Sequence, residues 1–475
     1  MKKILIYNIV NNRIYLLLSL VVIILFVIYK IPFLNFPFYW DEAWVYGPSV
    51  RLMAENVPSL LPDALPIDYS RGHPLFFHFF GALWAKVFGS SLISLHSFAL
   101  TVSVFLLVVS FKFAKEFFSE KIAFITVLTL SLQPIFLAQS VLVLPEVMLA
   151  LFSLLTIYYY LKKKFIWYFI FGTALIMTKE SGVVVFCALS LFSFLINIKK
   201  LKLKYLIVDI LKILSPLVVI FIYLYIQYSM YGWFFFPGHI DFITTDLSAV
   251  WNKLTDGYGA YLAIYQGRNL LFFSSVLIFI YLLIRKKKLE YKNMLLLFLI
   301  FIIGFLMFSS LNFFSNRYIM CIILPFILLT VGIIFQGLKN KYIMIVFLIV
   351  FTGLQYREIN KKTNSDHNLG YINAVKVHQS MINYCTDKEL QNKYFYSYFM
   401  TRVIMTNHLS GYVEKGEEFI HVGKDYTDKT EYCIFSNFDS DKEHLLLRNN
   451  SELKLIKRYE IEQAWIELYE NTKQN

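Results

Sequence analysis

Long apolar stretches recur along residues 1–357, separated by short polar segments. Stretches of about 20 apolar residues have the length that an α-helix needs to cross the hydrocarbon core of a bilayer. The pattern predicts about eleven membrane-spanning helices, near residues 14–31, 92–111, 121–139, 146–161, 165–178, 182–197, 205–228, 267–284, 293–311, 317–335 and 341–357. The sequence therefore predicts a mainly α, polytopic membrane protein.

Residues 73–88 are also apolar, but a span here would invert every later loop and break the charge pattern described below. We expect this segment to form a helix that lies in the outer membrane interface. Its His73, His78 and Lys86 would then point toward the lipid headgroups.

Residues 358–475 are more polar and carry only short apolar runs, which predicts a small soluble α/β or α+β domain. The expected elements are a helix over 368–384 and strands over 393–398, 419–422, 432–436 and 453–459. The domain division that follows is a membrane domain over 1–357 and a C-terminal domain over 358–475.

Composition agrees with this division, since 58% of the residues are hydrophobic and only 16% are charged. In soluble domains about a quarter of the residues are charged. The run from residue 14 to residue 30 has no small-residue cleavage site, so we expect it to be retained as the first helix. Four cysteines are too few for a disulfide scaffold, although Cys385 and Cys433 could pair.

The basic residues predict the orientation. Of the 30 Lys and Arg before residue 358, 21 lie in or beside alternate connections, and ten of the 14 acidic residues lie on the other side. The positive-inside rule makes the basic side cytoplasmic, so the N-terminus is cytoplasmic and the C-terminal domain extracytoplasmic. The net charge of +13 therefore reflects cytoplasmic loops and not a nucleic-acid surface.

The first outer loop, which follows the first helix, contains two adjacent acids, Asp41 and Glu42, among aromatic residues. Partial burial at the membrane edge raises the pKa of a carboxyl group toward a value useful for a general base. The alternative interpretation is helix capping, because Asp41 followed by Glu42 is good N-cap chemistry. The two acids could also hold a cation, but the sequence shows no second set of ligands, and no metal site is predicted.

Further acids and bases lie at the outer ends of the predicted spans. Glu146 is either a functional acid at membrane depth or the N-cap of a helix. A carboxylate that activates an acceptor, surrounded by cations that hold a phosphate leaving group, is what transfer from a lipid phosphate requires. The candidate binding residues on this face are Arg71, His73, Glu146, Lys179, Glu180, Arg268, Arg317 and Tyr318.

The order of several short motifs resembles the GT-C glycosyltransferases, specifically the protein O-mannosyltransferase and aminoarabinose-transferase-like family (the dolichyl-phosphate-mannose-protein mannosyltransferase group). The resemblance covers roughly residues 10–357. The motifs are Trp40-Asp41-Glu42-Ala43, Gly72-His73-Pro74-Leu75, Pro145-Glu146, Thr178-Lys179-Glu180-Ser181-Gly182 and Asn316-Arg317-Tyr318.

The resemblance implies a GT-C fold and an inverting transferase that uses a polyprenyl-phosphate sugar as donor. It implies that Asp41 is the catalytic carboxylate with Glu42 beside it, and that His73 contacts the donor phosphate or the acceptor. Lys179 and Arg317 fall at positions associated with phosphate contacts. The acceptor would be a lipid, a protein or a polysaccharide on the outer face of a bacterial inner membrane.

Two other classes are compatible with the sequence. A lipid or glycan transporter or flippase would also be polytopic, but it should show a charged path near the bilayer midplane, and the predicted spans are almost free of charge. A membrane-anchored binding module would place its chemistry in the C-terminal domain. That domain shows no metal-ligand spacing, glycine-rich phosphate loop or nucleophile elbow.

Overall fold

Every predicted span is helical in the structure, a computed structural model that describes residues 2–198, 202–363, 365–438 and 442–473. Ser91 and Ser119 cap two of these helices by accepting hydrogen bonds from Ser94 N and Ile122 N. The helices at the predicted spans are Lys2–Lys30, Leu92–Phe117, Glu120–Ser131, Pro134–Gln139, Glu146–Leu161, Phe165–Thr178, Val183–Asn197, Leu203–Leu214, Leu217–Tyr231, Arg268–Ile284, Lys292–Ser310, Met320–Gly337 and Lys341–Asn360.

The predicted total of eleven spans is not confirmed. Within the described residues, six helices are long and apolar enough to cross a membrane, and the number rises to eight if each of two bent pairs counts as one span. One pair bends by 51° at Pro216, a residue that cannot donate the helical hydrogen bond. Helices Glu146–Leu161 and Phe165–Thr178 are apolar but shorter than a full span.

Helix Asn316–Gly337, including its first 3₁₀ turn, lies at the centre of the membrane domain. Of its most apolar 18 residues, 78% are buried. Of the six long helices, the first and the last are the least covered, at 22% and 11%. Their exposed surface is apolar, which suits contact with lipid.

Short helices cover one end of the long apolar helices, the end that the charge pattern predicts to be outer. A π-helical turn over Glu42–Tyr46 continues into helix Gly47–Glu55, against which helix Phe76–Phe88 packs. The other short helical segments are Ile31–Phe33, Pro62–Ala64, Ile67–Ser70, Glu180–Gly182, Pro237–Ile240, Leu247–Asn252, Lys253–Gly259, Ala260–Ala263 and Asn316–Ile319.

The prediction that residues 73–88 direct polar groups to the headgroups is wrong for His78. Its ring is buried and stacks on Tyr46 at 5.3 Å between ring centroids. Burial lowers the pKa of His78 to about 3, so the ring is neutral. Lys86 is exposed as expected, and His73 forms an ion pair described below.

Residues 358–475, the predicted C-terminal domain, contain a five-stranded mixed sheet. The strands are β1 (Tyr394–Ser397), β2 (His421–Gly423), β3 (Tyr432–Ser436), β4 (Leu453–Ile461) and β5 (Ala464–Asn471). Their order is β2-β1-β3-β5-β4, with β1 parallel to both neighbours and β5 antiparallel to both of its own. The accompanying helices are Tyr371–Asp387, Phe399–Thr406, His408–Ser410 (a 3₁₀ turn) and Lys442–Leu447.

The C-terminal domain packs directly on the first outer loop. The backbone N–H of Phe38 donates to the carbonyl of Ser410 at 3.1 Å. The rings of Trp44 and Phe399 meet edge to face with centroids 4.9 Å apart. All four cysteines are free, so Cys385 and Cys433 form no disulfide.

Candidate active site

Asp41 is the first residue of the candidate site along the chain, and it lies directly before the π-helical turn Glu42–Tyr46. The preceding Trp40 has a φ of +52°, a left-handed conformation that is strained for a bulky residue and is found at functional sites. One oxygen of Asp41 accepts a hydrogen bond from Trp44 Nε1 at 3.0 Å, and the other pairs with Arg317. The side chain of Asp41 makes no N-cap bond and is 24% exposed, so the capping interpretation does not describe it.

Arg317 lies in the 3₁₀ turn at the N-terminal end of the central helix and contacts three carboxylates. Its Nη2 pairs with Asp41, its Nη1 lies 2.5 Å from Asp366 Oδ2, and its Nε lies 3.4 Å from Glu146 Oε1. The side chain is only 6% exposed. A guanidinium group presents donors in a rigid planar fork, which suits simultaneous contact with several carboxylates.

Lys179 forms the second cation of the cluster. Its Nζ lies 3.1 Å from Glu146 Oε1 and 4.4 Å from the centre of the Tyr318 ring. Glu146 is the first residue of its helix, and Pro145 occupies the cap position. The carboxylate of Glu146 therefore serves the ion pairs and not the capping role that was the alternative interpretation.

The charges around Asp41 set its protonation. Burial alone would raise the pKa of the Asp41 carboxyl, but Arg317, the Trp44 hydrogen bond and Lys179 hold that pKa below its usual value. The expectation that burial would bring the pKa up toward neutrality is therefore wrong. Burial alone would lower the pKa of Lys179, but the Glu146 carboxylate raises it. Both groups are charged at neutral pH.

A second group of side chains lies around His73. Its Nδ1 lies 3.0 Å from Glu180 Oε2, and its ring lies 4.6 Å from that of His239. Tyr223 fixes the backbone by donating its hydroxyl hydrogen to the carbonyl of His73 at 2.9 Å. Burial, with His73 and Arg71 nearby, lowers the pKa of His239 to about 3.

Arg71 belongs to the same side of the site. Its guanidinium carbon lies 4.9 Å from the centre of the Trp44 ring and 5.8 Å from that of Phe236. Within the described parts of the chain, Arg71 forms no ion pair with a carboxylate. Arg71 is therefore a cation held by aromatic rings, with its charge available to an anionic ligand.

Glu42 does not join this cluster. The side chain is fully buried and accepts from Val143 N at 2.6 Å and Tyr39 N at 3.1 Å, with His96 Nε2 at 2.9 Å. These contacts fasten the first outer loop to the turn before helix Glu146–Leu161. Glu42 therefore holds the backbone next to Asp41 in place through its buried carboxylate.

Arg268 also lies apart from the cluster. It is fully buried and donates to the carbonyls of Tyr261 at 2.5 Å and Leu262 at 2.8 Å. It donates further to the side chains of Gln133 and Gln266. These bonds satisfy the backbone at the 91° bend that precedes helix Arg268–Ile284.

Sequence reasoning missed Asp366 and His239. Asp366 lies in the segment Ser365-Asp366-His367, six residues after the last membrane helix ends at Asn360. Its position just outside the last predicted span, on the side assigned as outer, was a signal that could have drawn attention to it. His239 lies in an outer segment rich in aromatic residues, and no spacing linked it to His73.

In the part of the chain that the structure describes, no group of three or more His, Cys, Asp or Glu is arranged to hold a metal ion. The carboxylates of Asp41, Glu146 and Asp366 instead surround a guanidinium group.

Residues 72–224 match the family model described as dolichyl-phosphate-mannose-protein mannosyltransferase. A sequence comparison with curated proteins finds no match. Among solved structures, ArnT from Cupriavidus metallidurans in the apo state is 12% identical, with a TM-score of 0.53 over 96% of this chain and 97% of that one. The same protein bound to undecaprenyl phosphate is 13% identical, with a TM-score of 0.50 over the same shares.

The archaeal oligosaccharyltransferase AglB from Archaeoglobus fulgidus, in complex with an inhibitory peptide and a dolichol-phosphate, is 11% identical, with a TM-score of 0.53 over 97% of this chain and 74% of that one. At these identities the likeness shows a shared fold. The chain is thus similar to this family over residues 72–224, and its fold is similar to that of ArnT and AglB over most of its length.

Proposed function

We propose that the protein is an inverting glycosyltransferase that moves a sugar from a polyprenyl-phosphate carrier to an acceptor on the outer face of a bacterial inner membrane. The observation that carries the proposal is the partly exposed Asp41 carboxylate, held by Arg317 at the outer ends of apolar helices. Structures of the same fold with undecaprenyl phosphate and with a dolichol-phosphate support a lipid-phosphate donor. The asymmetry of the basic residues supports the outer face.

The donor phosphate would lie toward Arg71 and His73. Arg317 already contacts three carboxylates, so its positive charge is not available to a phosphate. Arg71 has no such carboxylate partner within the described residues, and Lys179, 16% exposed, is the accessible cation of the cluster. Arg71 and Lys179 would together stabilise the negative charge of the departing phosphate, with His73 beside them.

In the proposed reaction Asp41 accepts the proton of an acceptor hydroxyl while that oxygen attacks the anomeric carbon of the sugar. The bond between the anomeric carbon and the phosphate oxygen breaks, and the polyprenyl phosphate leaves with the bonding electrons. A single displacement inverts the configuration at this carbon. If the acceptor is itself a phosphate, no proton is removed and Asp41 orients the acceptor.

The test is Asp41→Asn in the full-length protein. Asparagine keeps the oxygen that accepts from Trp44 but cannot take a proton, so turnover should fall by about 10²–10⁴-fold, the usual contribution of a general base. The matched control is Asp63→Asn, the same substitution at an exposed position of the same loop, which should leave turnover unchanged. Near-normal turnover in a folded Asp41→Asn protein would contradict the assignment.

A further inference from the structure

We infer that Asp366 is a positioning residue: it fixes the guanidinium group of Arg317 and, through it, the orientation of the Asp41 carboxylate. The segment that follows the last membrane helix would then complete the active site. The inference rests on the proposed role of Asp41 and adds a residue outside the membrane domain to it.

The geometry of the guanidinium group carries the inference. Its two terminal nitrogens bind different carboxylates, Asp366 on Nη1 and Asp41 on Nη2. A planar fork that is held at one terminal nitrogen has a fixed direction at the other. The side chains of Arg317 and Asp366 are 6% and 10% exposed, so little water competes for either group. Without Asp366, the fork would be free to turn toward Glu146 and away from Asp41.

The segment around Asp366 is itself held by the membrane domain. The carbonyl of Asp366 accepts from Gln139 Nε2 at 2.7 Å, and that of His367 accepts from Gln266 Nε2 at 2.9 Å. The ring of His367 stands edge to face on Tyr261, with centroids 5.2 Å apart. Gln139 and Gln266, two buried glutamines of the membrane domain, therefore hold the backbone at Asp366 and His367.

A different role for the same contact makes the opposite prediction. If Asp366 merely kept Arg317 from a donor phosphate, its removal would improve donor binding and would leave the maximal rate unchanged or higher. If Asp366 positions Asp41, its removal lowers the maximal rate and leaves donor binding unchanged. The split between kcat and the donor KM separates these two roles.

The experiment uses full-length protein in nanodiscs, with the polyprenyl-phosphate-sugar fraction from cells that lack this chain as donor. Asp366→Asn should lower kcat by about 10- to 100-fold, the effect of misplacing a catalytic group by about 1 Å, with the donor KM unchanged. Asp366→Glu should recover part of the lost rate, because it restores the carboxylate. Adding Asp366→Asn to Arg317→Lys should cause no further loss, because Asp366 acts through the guanidinium fork.

Two further variants keep the result interpretable. Glu462→Gln removes an exposed ion pair with Lys362 (3.1 Å), keeps an oxygen that can accept from Asn373 Nδ2, and should not change kcat. Gln139→Leu releases the carbonyl of Asp366 without altering a charge, and should lower kcat in the same direction by a smaller factor. If Asp366→Asn does not fold, an unchanged kcat in Gln139→Leu overturns the inference.

A normal kcat in folded Asp366→Asn, or a lower donor KM with normal kcat, also overturns it. Loss of activity in Asp41→Asn with normal Asp366→Asn would reject the positioning role alone. Normal activity in Asp41→Asn would reject the proposed function of Asp41, whatever Asp366→Asn shows.

Discussion

Arg317 is the residue around which the candidate site is built. The sequence suggested that it holds the donor phosphate, and the structure gives it three carboxylate neighbours. One sequence position in a helix-end motif cannot show how many acids the fold will bring to it. Two of the three, Asp41 and Glu146, were identified from the sequence, and the third lies in a segment assigned to another domain.

The pair between Lys179 and Glu146 should be important for stability. Replacing Lys179 by methionine leaves a carboxylate that is 3% exposed with only the longer contact to Arg317. Removing one partner of a buried pair typically costs about 3–5 kcal/mol. We expect Lys179→Met to lower the unfolding temperature strongly, measured by thermal unfolding in detergent.

The double variant Lys179→Met with Glu146→Gln should recover much of this loss, because no unpaired charge remains. Lys162→Met provides the control, because it breaks an exposed ion pair with Glu116. The side chains of Lys162 and Glu116 are 38% and 41% exposed, so the unfolding temperature should not change. Equal effects of the two lysine variants would contradict the buried pairing.

The depressed pKa of Asp41 predicts the pH dependence of the reaction. The free carboxyl of aspartate has a pKa of about 3.9. Since the folded-state pKa is lower, the stabilisation from this charged group is present above about pH 4 and is lost as the pH falls through the folded pKa. Asp41 should thus remain a proton acceptor down to about pH 4. A profile of kcat/KM against pH should show no acid limb from Asp41 between pH 5 and 8.

The control for this profile is His73→Gln, which removes the imidazole that faces Glu180 in the candidate site. An acid limb between pH 5 and 7 that persists in His73→Gln and shifts when Arg317 is changed to lysine would show that the pKa of Asp41 is raised.

At the scale of single elements, the π-helical turn Glu42–Tyr46 separates two acids that look equivalent in the sequence. Asp41 faces Arg317, whereas Glu42 points into the protein toward His96. The positive φ of Trp40 sets this arrangement. No periodicity in the sequence indicates a left-handed tryptophan, so the sequence located both acids but could not assign them different roles.

Glu42→Gln should affect stability more than chemistry. The Glu42 carboxylate accepts from two backbone N–H groups and contacts His96, and an amide would place an N–H₂ group against at least one donor. The expected cost is about 1–3 kcal/mol of unfolding free energy. Turnover, measured well below the unfolding temperature, should fall much less than in Asp41→Asn.

Glu55→Gln is the control for Glu42→Gln, because Glu55 is an exposed acid at the end of the helix that follows the same turn. Glu55→Gln should change neither the unfolding free energy nor turnover. An unchanged unfolding temperature in Glu42→Gln, or a loss of turnover as large as that of Asp41→Asn, would return Glu42 to a catalytic role.

The secondary structure could be predicted well where the pattern is long. Each predicted span is helical, and the predicted helix and four strands of the C-terminal domain are present within a few residues. Strand β5 was missed because Glu467 interrupts its apolar pattern. The structure buries Glu467 with Arg448 and Arg458 against it, and Arg458 is its partner across the β4–β5 hairpin.

At the scale of the whole molecule, the alternation of basic and acidic loops places the candidate site residues on one face. The structure agrees, because Asp41, Glu146, Lys179 and Arg317 meet at one end of the helices. The contribution of the C-terminal domain could not be predicted, because contacts such as Trp44 with Phe399 join residues far apart in the chain.

The orientation in the membrane is testable with a reporter enzyme fused after Asn475. The basic residues predict a cytoplasmic N-terminus and an external C-terminal domain. A reporter active only outside the cytoplasm should therefore be active, and the same reporter at the N-terminus should be silent. A second reporter, active only in the cytoplasm, should be silent at the C-terminus. Its activity there would mean that the chain crosses the membrane an even number of times.

The most direct test of the central claim is the lipid content of cells that lack the chain, compared after complementation with the natural sequence and with Asp41→Asn. Lipid extracts analysed by mass spectrometry should show a polyprenyl-phosphate sugar that accumulates without the chain and disappears on complementation. Asp41→Asn should leave it accumulated. An unchanged lipid profile in all three strains, or full clearance by a membrane-inserted Asp41→Asn protein, would contradict a transferase that uses this carboxylate on a lipid-linked sugar.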